Sequence, residues 1–177
     1  MKSLSLIFFA LVILAFTGCK QIDKILTFNI NKSQTITVPK MAVLPGLTIL
    51  GPPVTVTSDT KEEFKKQNTA AELVKDVTLT KIVLNMEAPA DEDFGFLKDV
   101  ELLIGVPNES DVSIAYLNDI PADAGRSLEL NTHNVKLDKY IKASTFTLRT
   151  RGTADESVLN DITVKVDMTF KVTADPL

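Results

Sequence analysis

The clearest pattern in the chain is an alternation of apolar and polar residues close to its C-terminus. Every even-numbered position from 162 to 172 is apolar, and every odd-numbered position between them is polar or charged. Side chains of an extended strand alternate between its two faces, so this segment predicts a strand with one buried and one exposed face. Its length of about 36 Å requires a large facing surface. We therefore expect the rest of the domain to be organised around it.

The same period of two recurs through most of the chain. Residues 25–30 and 34–38 alternate on either side of a polar stretch, which predicts a hairpin that turns at 31–33. Residues 100–106 and 112–116 predict a second hairpin in the same way.

Two further strands and a proline-rich segment are predicted from the rest of the pattern. Residues 76–88 have apolar positions in two different phases, so we predict a β-bulge near Lys81. Residues 144–151 predict a strand that ends in a turn over 152–157. The proline-rich segment 39–53 predicts a loop or an irregular edge strand, because proline cannot donate to a strand ladder.

Helical signals are confined to two places. Thr60 and Glu63 match a capping box and predict one short helix or two broken turns before residue 74. Residues 137–142 predict a helical turn that places Tyr140 and Ile141 in the core. Together with eight or nine strands, these segments predict an all-β fold, an antiparallel β-sandwich of immunoglobulin-like or transthyretin-like shape with one or two short helical segments.

The N-terminus has the pattern of an export signal. Lys2 precedes an apolar run over 4–16, which is shorter than the roughly 20 residues of a membrane-spanning helix. The run ends in Phe16-Thr17-Gly18-Cys19, which resembles the lipobox of bacterial lipoproteins except that Phe16 stands where leucine is usual. An ordinary signal peptide with an incidental cysteine is the alternative.

The resemblance to the lipobox implies a lipid on Cys19, the only cysteine in the chain. We therefore expect a signal peptide over 1–18, a lipidated tether over 19–24 and a sandwich domain over 25–177. Lys20 follows Cys19 where an aspartate would signal inner-membrane retention. This implies a cell-envelope protein anchored in the outer membrane, on its periplasmic or surface face.

The net charge of the chain and its single histidine limit the functions that the chain can have. The net charge of −4 argues against nucleic acid as a partner and against electrostatic docking on anionic lipid. The only histidine, His133, lies in a polar segment without a nucleophile motif, so we interpret it as a solvated turn residue. We expect no enzyme activity and no cofactor apart from the covalent lipid.

Acidic residues in two loops are candidates for a calcium site. Calcium takes six to eight oxygen ligands, and acidic loop residues could supply them at Asp91, Glu92, Asp93, Asp119 and Asp123. The alternative is that these side chains are simply solvated.

Four other residues are weak candidates for contact with a partner. Phe94 and Phe96 either grip a partner or plug one end of the sandwich, which we favour. Arg149 and Arg151 either bind an acidic partner or form cross-strand ion pairs, for which Asp167 or Lys165 are the expected partners.

Four local runs are distinctive: Phe64-Lys65-Lys66-Gln67-Asn68-Thr69, Leu73-Val74-Lys75, Phe94-Gly95-Phe96-Leu97-Lys98, and Leu137-Asp138-Lys139-Tyr140-Ile141 ahead of Phe146-Thr147-Leu148. Together these runs resemble a group of small Bacteroidota-type outer-membrane lipoproteins. The resemblance implies a β-sandwich and a lipid anchor, but no activity or site.

The predicted function is therefore that of a membrane-anchored envelope lipoprotein. We expect its non-catalytic sandwich to bind a protein or glycan partner in adhesion, assembly or a structural role. The alternative is a carrier of an apolar or lipid ligand, with the segment 41–50 as a flap. A hydrolase with an unrecognised site is a lower alternative.

Overall fold

The computed structural model describes residues 25–42, 44–57, 60–107 and 109–177. Its strands and helices, with two single-turn 3-10 helices, follow one another in this order: β1 Leu26–Val38, β2 Leu47–Leu50, β3 Val54–Thr57, α1 Thr60–Lys66, a 3-10 turn Ala71–Leu73, β4 Val74–Ala88, a 3-10 turn Phe94–Phe96, β5 Leu97–Gly105, β6 Val112–Leu117, β7 Ser127–Glu129, β8 Asn131–Thr132, α2 Asp138–Lys142, β9 Thr145–Ala154 and β10 Ile162–Ala174. The signal peptide and tether predicted over 1–18 and 19–24 lie outside these residues.

The strands form two antiparallel sheets that bury one core between them. One sheet has the order β1-β10-β4-β7, and the other has the order β2-β9-β5-β6-β8 with β3 also paired to β9. The even-numbered side chains of β10 are buried and join a cluster to which both sheets contribute. The predicted all-β antiparallel sandwich is confirmed, and the long final strand lies at the centre of its sheet as expected.

The predicted first hairpin is wrong. β1 is one continuous strand whose 13 residues all pair with β10, from Leu26 opposite Ala174 to Val38 opposite Ile162. The apolar positions before and after 31–33 are in the same phase, so no turn is needed to keep them on one face. Lys32 occupies an inward position within this strand.

Lys32 is accommodated there by α1. Its Nζ lies 2.9 Å from Glu63 Oε1, and nearby the rings of Phe28 and Phe64 pack edge to face at 6.3 Å. An inward-pointing charge on an edge strand also discourages pairing with another chain. Helix α1 thus packs against the edge strand β1.

The other local predictions agree better with the structure. The register between β4 and β10 shifts next to Lys81, where Thr80 has no cross-strand partner, so the predicted bulge is confirmed. Strands β5 and β6 form the predicted hairpin. Helix α2 places Tyr140 and Ile141 in the core. The turn predicted at 152–157 begins later, because β9 continues to Ala154.

The sandwich has two distinct ends, which we name by the termini of β1. The Leu26 end includes Val74 and Ala174, and the Val38 end includes Ala88 and Ile162. The length of β1 separates them by about 40 Å. None of the helices in the described ranges is both long and apolar enough to cross a membrane.

Candidate binding surface

The two phenylalanines proposed for partner contact pack inward at the Val38 end. Phe94 is only 2% exposed and belongs to the core, and Phe96 is half-buried against it. The turn that carries them is fixed by Asp93, whose Oδ1 accepts a hydrogen bond from the Gly95 amide at 2.8 Å. The position of both rings agrees with the plug interpretation.

The acidic loop residues are not gathered into one site. Among the residues that the structure describes, no group of three or more His, Cys, Asp or Glu side chains is placed to hold a metal ion. Asp93 caps its own turn, whereas Asp91, Asp119 and Asp123 are exposed. Glu92 instead accepts from Asn160 Nδ2 at 3.4 Å.

The two candidate arginines lie on the exposed face of β9, but their partners differ from those expected. Strand β9 pairs with β5, so Asp167 and Lys165 of β10 belong to the opposite sheet. Arg149 forms an ion pair with Asp111, and Arg151 pairs with a carboxylate of β5. Arg151 therefore forms a cross-strand ion pair, whereas the partner of Arg149 lies in the segment between β5 and β6; the predicted partners were wrong for both.

The carboxylate that pairs with Arg151 is Glu101. Arg151 Nε donates to Glu101 Oε2 at 2.8 Å. The pKa of Glu101 is lowered below its ordinary value, first by the Ser113 hydroxyl and then, against the opposing effect of burial, by Arg151 and His133. This carboxylate is therefore held in its charged form on the outer face of the sheet.

His133 is not a freely solvated turn residue. Its ring is half-buried and stacks on Tyr116, with centroids 4.7 Å apart and an angle of 25° between the planes. Its amide donates to the Ile114 carbonyl at 2.9 Å. The stack borders a shallow cleft that Asp99 and Asn118 also line. No local sequence signal indicates this stack, because the two rings meet across β6 and the segment after β8.

An apolar cavity of about 70 Å³ lies between the sheets near the Val38 end. Ile36 and Val166 line it from one sheet, and Ile49 and Val100 line it from the other. An engineered apolar cavity of about 150 Å³ holds benzene, so the present one is too small for an acyl chain unless β2 moves away.

Four leucines at or near the Val38 end are among the most exposed apolar side chains of the described residues, and we refer to them together as the leucine surface, although Leu47 and Leu50 point to opposite faces of β2. Its members Leu44, Leu47, Leu50 and Leu159 are 76%, 52%, 73% and 75% exposed. Pairing of Leu47 with Ala154, and of Met41 with Val158, brings the segment before β2 against the loop that carries Leu159. Clusters of exposed apolar side chains are typical of interaction sites.

Comparisons with known proteins add no function to this picture. No family model matches the chain, and no curated protein is significantly similar to it. Among solved structures, it resembles a decameric BFDV capsid protein, at 10% identity and a TM-score of 0.40 over 85% of this chain and 99% of that one. It also resembles FLHE, at 11% identity and a TM-score of 0.33 over 84% of this chain and 97% of that one. Desmodium yellow mottle tymovirus gives 9% identity and a TM-score of 0.33 over 86% of this chain and 90% of that one.

Proposed function

We propose that the chain is a lipid-anchored envelope protein, of the Bacteroidota lipoprotein type, whose non-catalytic sandwich binds a protein or glycan partner in the envelope. The export signal and the lipobox-like sequence ending at Cys19 support the anchor, which would hold the protein in the outer membrane. The leucine surface supports the binding role and is the observation on which the proposal depends.

The leucine surface favours binding because its side chains are exposed and do not belong to the core. The core is complete without them, since both sheets contribute buried residues to one continuous cluster. Burial of an exposed leucine contributes about 1.5–3 kcal/mol, so three or four such side chains supply a useful share of a binding energy. The arginines of β9, by contrast, are already paired with the carboxylates of Asp111 and Glu101.

A cross-linking experiment tests the proposal. The acylated protein would be cross-linked in its own envelope and purified, and the bound proteins and glycans identified by mass spectrometry. We expect one dominant partner, lost when Leu44, Leu50 and Leu159 are replaced together by Asn. The matched control is Leu177→Asn, which removes an equally exposed leucine, 74% exposed, at the Leu26 end. Recovery of the same partner from the triple variant would contradict the proposed surface.

The apolar cavity favours a second candidate function, that of a carrier for an apolar ligand. Its lining is almost entirely aliphatic and aromatic, and β2 covers it with only four paired residues. A carrier would bind ligand after β2 moves outward. Native mass spectra of the purified protein would then show a non-covalent lipid, and its repeated absence would remove this candidate.

A further inference from the structure

Charged side chains are unevenly distributed along the long axis of the sandwich. At the Leu26 end, Lys61, Lys66 and Lys171 are exposed and form no ion pair within the described chain. Two more lysines there are paired, Lys65 with Glu62 at 2.9 Å and Lys75 with Asp175 at 2.5 Å. The acids beside them without an ion pair in the described chain are the exposed Glu72 and the half-buried Asp76, one fewer than the three lysines. This end is therefore locally basic on an acidic protein.

The Val38 end has the opposite charge. It carries seven exposed acidic residues that form no ion pair within the described ranges: Glu87, Asp91, Asp119, Asp123, Asp155, Glu156 and Asp161. The exposed cations there are Lys40 and Lys98. A net charge summed over the whole chain conceals this separation, which makes the domain an electrostatic dipole along β1.

The Leu26 end also exposes apolar side chains. Ile25 is 56% exposed just before β1, and Leu177 is 74% exposed beside α1, where its amide donates to the Asn68 carbonyl at 2.9 Å. Lysines interspersed with single apolar residues suit the headgroup region of a bilayer, where the ammonium groups meet lipid phosphates.

The chain leading to Cys19 enters at this same end. Five residues lie between Cys19 and Ile25, and even a fully extended chain from one to the other spans only about 20 Å. If Cys19 carries lipid, the Leu26 end therefore stays near the membrane surface. The tether alone does not fix the tilt of the domain, because a domain about 40 Å long on such a tether can also lie flat.

We infer that the Leu26 end rests on the anionic headgroup surface of the membrane that holds the anchor, with the leucine surface directed away from it. This inference rests on the proposed lipid anchor. Lys61, Lys66 and Lys171 attract the domain to anionic lipid at this end. A domain lying flat would bring the acidic loops of the Val38 end within the screening length of about 8 Å, where they are repelled. The upright orientation displays the leucine surface to a partner about 40 Å from the membrane.

Fluorescence quenching in vesicles tests this orientation. Acylation consumes the thiol of the only native cysteine, so Gln67→Cys at the Leu26 end and Asn160→Cys at the Val38 end each provide one labelling site. Each acylated protein would be reconstituted into vesicles of phosphatidylcholine with phosphatidylglycerol and a headgroup spin-labelled lipid. We expect the label at position 67 to be quenched several-fold more strongly than the label at position 160.

Two matched variants separate electrostatics from the tether. Replacing Lys61, Lys66 and Lys171 together by Glu should bring the two quenching values together, as should 1 M salt. Replacing Lys40 and Lys98 by Glu should leave the difference unchanged. Equal quenching of both labels in the protein without these replacements, on vesicles to which it remains bound, would overturn the orientation. Failure to float with any vesicles would overturn the anchor, and the orientation with it.

Discussion

Filling the cavity between the sheets should stabilise the domain. The cavity has a volume of about 70 Å³, and Val100, Val164 and Val166 line it. Residual cavities cost about 24 cal/mol per Å³, so closing this one completely is worth about 1.7 kcal/mol. Each Val→Ile replacement adds one methylene, which contributes about 0.8 kcal/mol when buried without strain. A gain of that size corresponds to an increase of about 2–3 °C in Tm for a domain of this length.

A matched replacement elsewhere in the core provides the control. Val77 is fully buried in the sheet that contains Val164 and Val166, but it does not line the cavity. Val77→Ile therefore forces a methylene into packed surroundings, and we expect a loss of about 1–3 kcal/mol. Urea unfolding followed by circular dichroism measures both effects as shifts in midpoint at constant slope.

Comparison with Val77→Ile tests the position of the cavity. If none of the three cavity variants raised the midpoint while Val77→Ile did so, the cavity would not be where the structure places it.

The same three cavity variants also test the carrier function. A carrier would lose its apolar ligand as the cavity fills, whereas a protein that binds through the leucine surface would keep its partner.

Three further predictions concern stability. Phe94→Ala should cost about 3–5 kcal/mol in urea unfolding, because it removes a buried ring from the Val38 end. Arg126 donates to the carbonyls of Pro89, Glu92 and Met86 at 2.6, 2.5 and 2.9 Å, so Arg126→Ala should cost about 1.5–3 kcal/mol and expose the 89–92 loop to protease. The pKa of Glu101 is lower in the folded protein than its ordinary value, so its contribution to stability is complete above that value and is lost as pH falls through the folded pKa. Unfolding midpoints measured across acidic pH should therefore decline less steeply in Glu101→Gln, and an unchanged slope would contradict this assignment.

Local alternation predicts much of the fold because a strand needs its apolar side chains on one face. The change of phase along 76–88 predicts a bulge near Lys81, which the structure places at Thr80, and the two alternating runs around 107–110 predict the β5–β6 hairpin. The error in β1 arose from a polar stretch that resembles a turn. Lys32 is tolerated inside that strand only because Glu63 reaches it from α1, which is a contact between distant residues.

Candidate sites are harder to predict, because they depend on which strands become neighbours. The pairing of Arg151 with Glu101 follows from the register of β9 on β5, which alternation does not specify, and Asp111 reaches Arg149 from the segment before β6. The Tyr116–His133 stack and the three carbonyl contacts of Arg126 likewise join segments that are separate in sequence. Charge segregation was missed for the same reason, since the net charge of the chain does not record position.

The intact mass of the mature protein isolated from cell envelopes shows whether Cys19 carries lipid. We predict an N-terminus at Cys19 with a mass increased by covalently attached acyl chains, and flotation with membranes. Cys19→Ala has no thiol to which acyl chains can be attached, and stable attachment needs more than one chain. This variant should therefore remain unprocessed or become soluble. Phe16→Leu is the control and should be processed and acylated like the original chain. An unmodified cysteine, or a cleaved Cys19→Ala protein that still floats with membranes, would contradict the account.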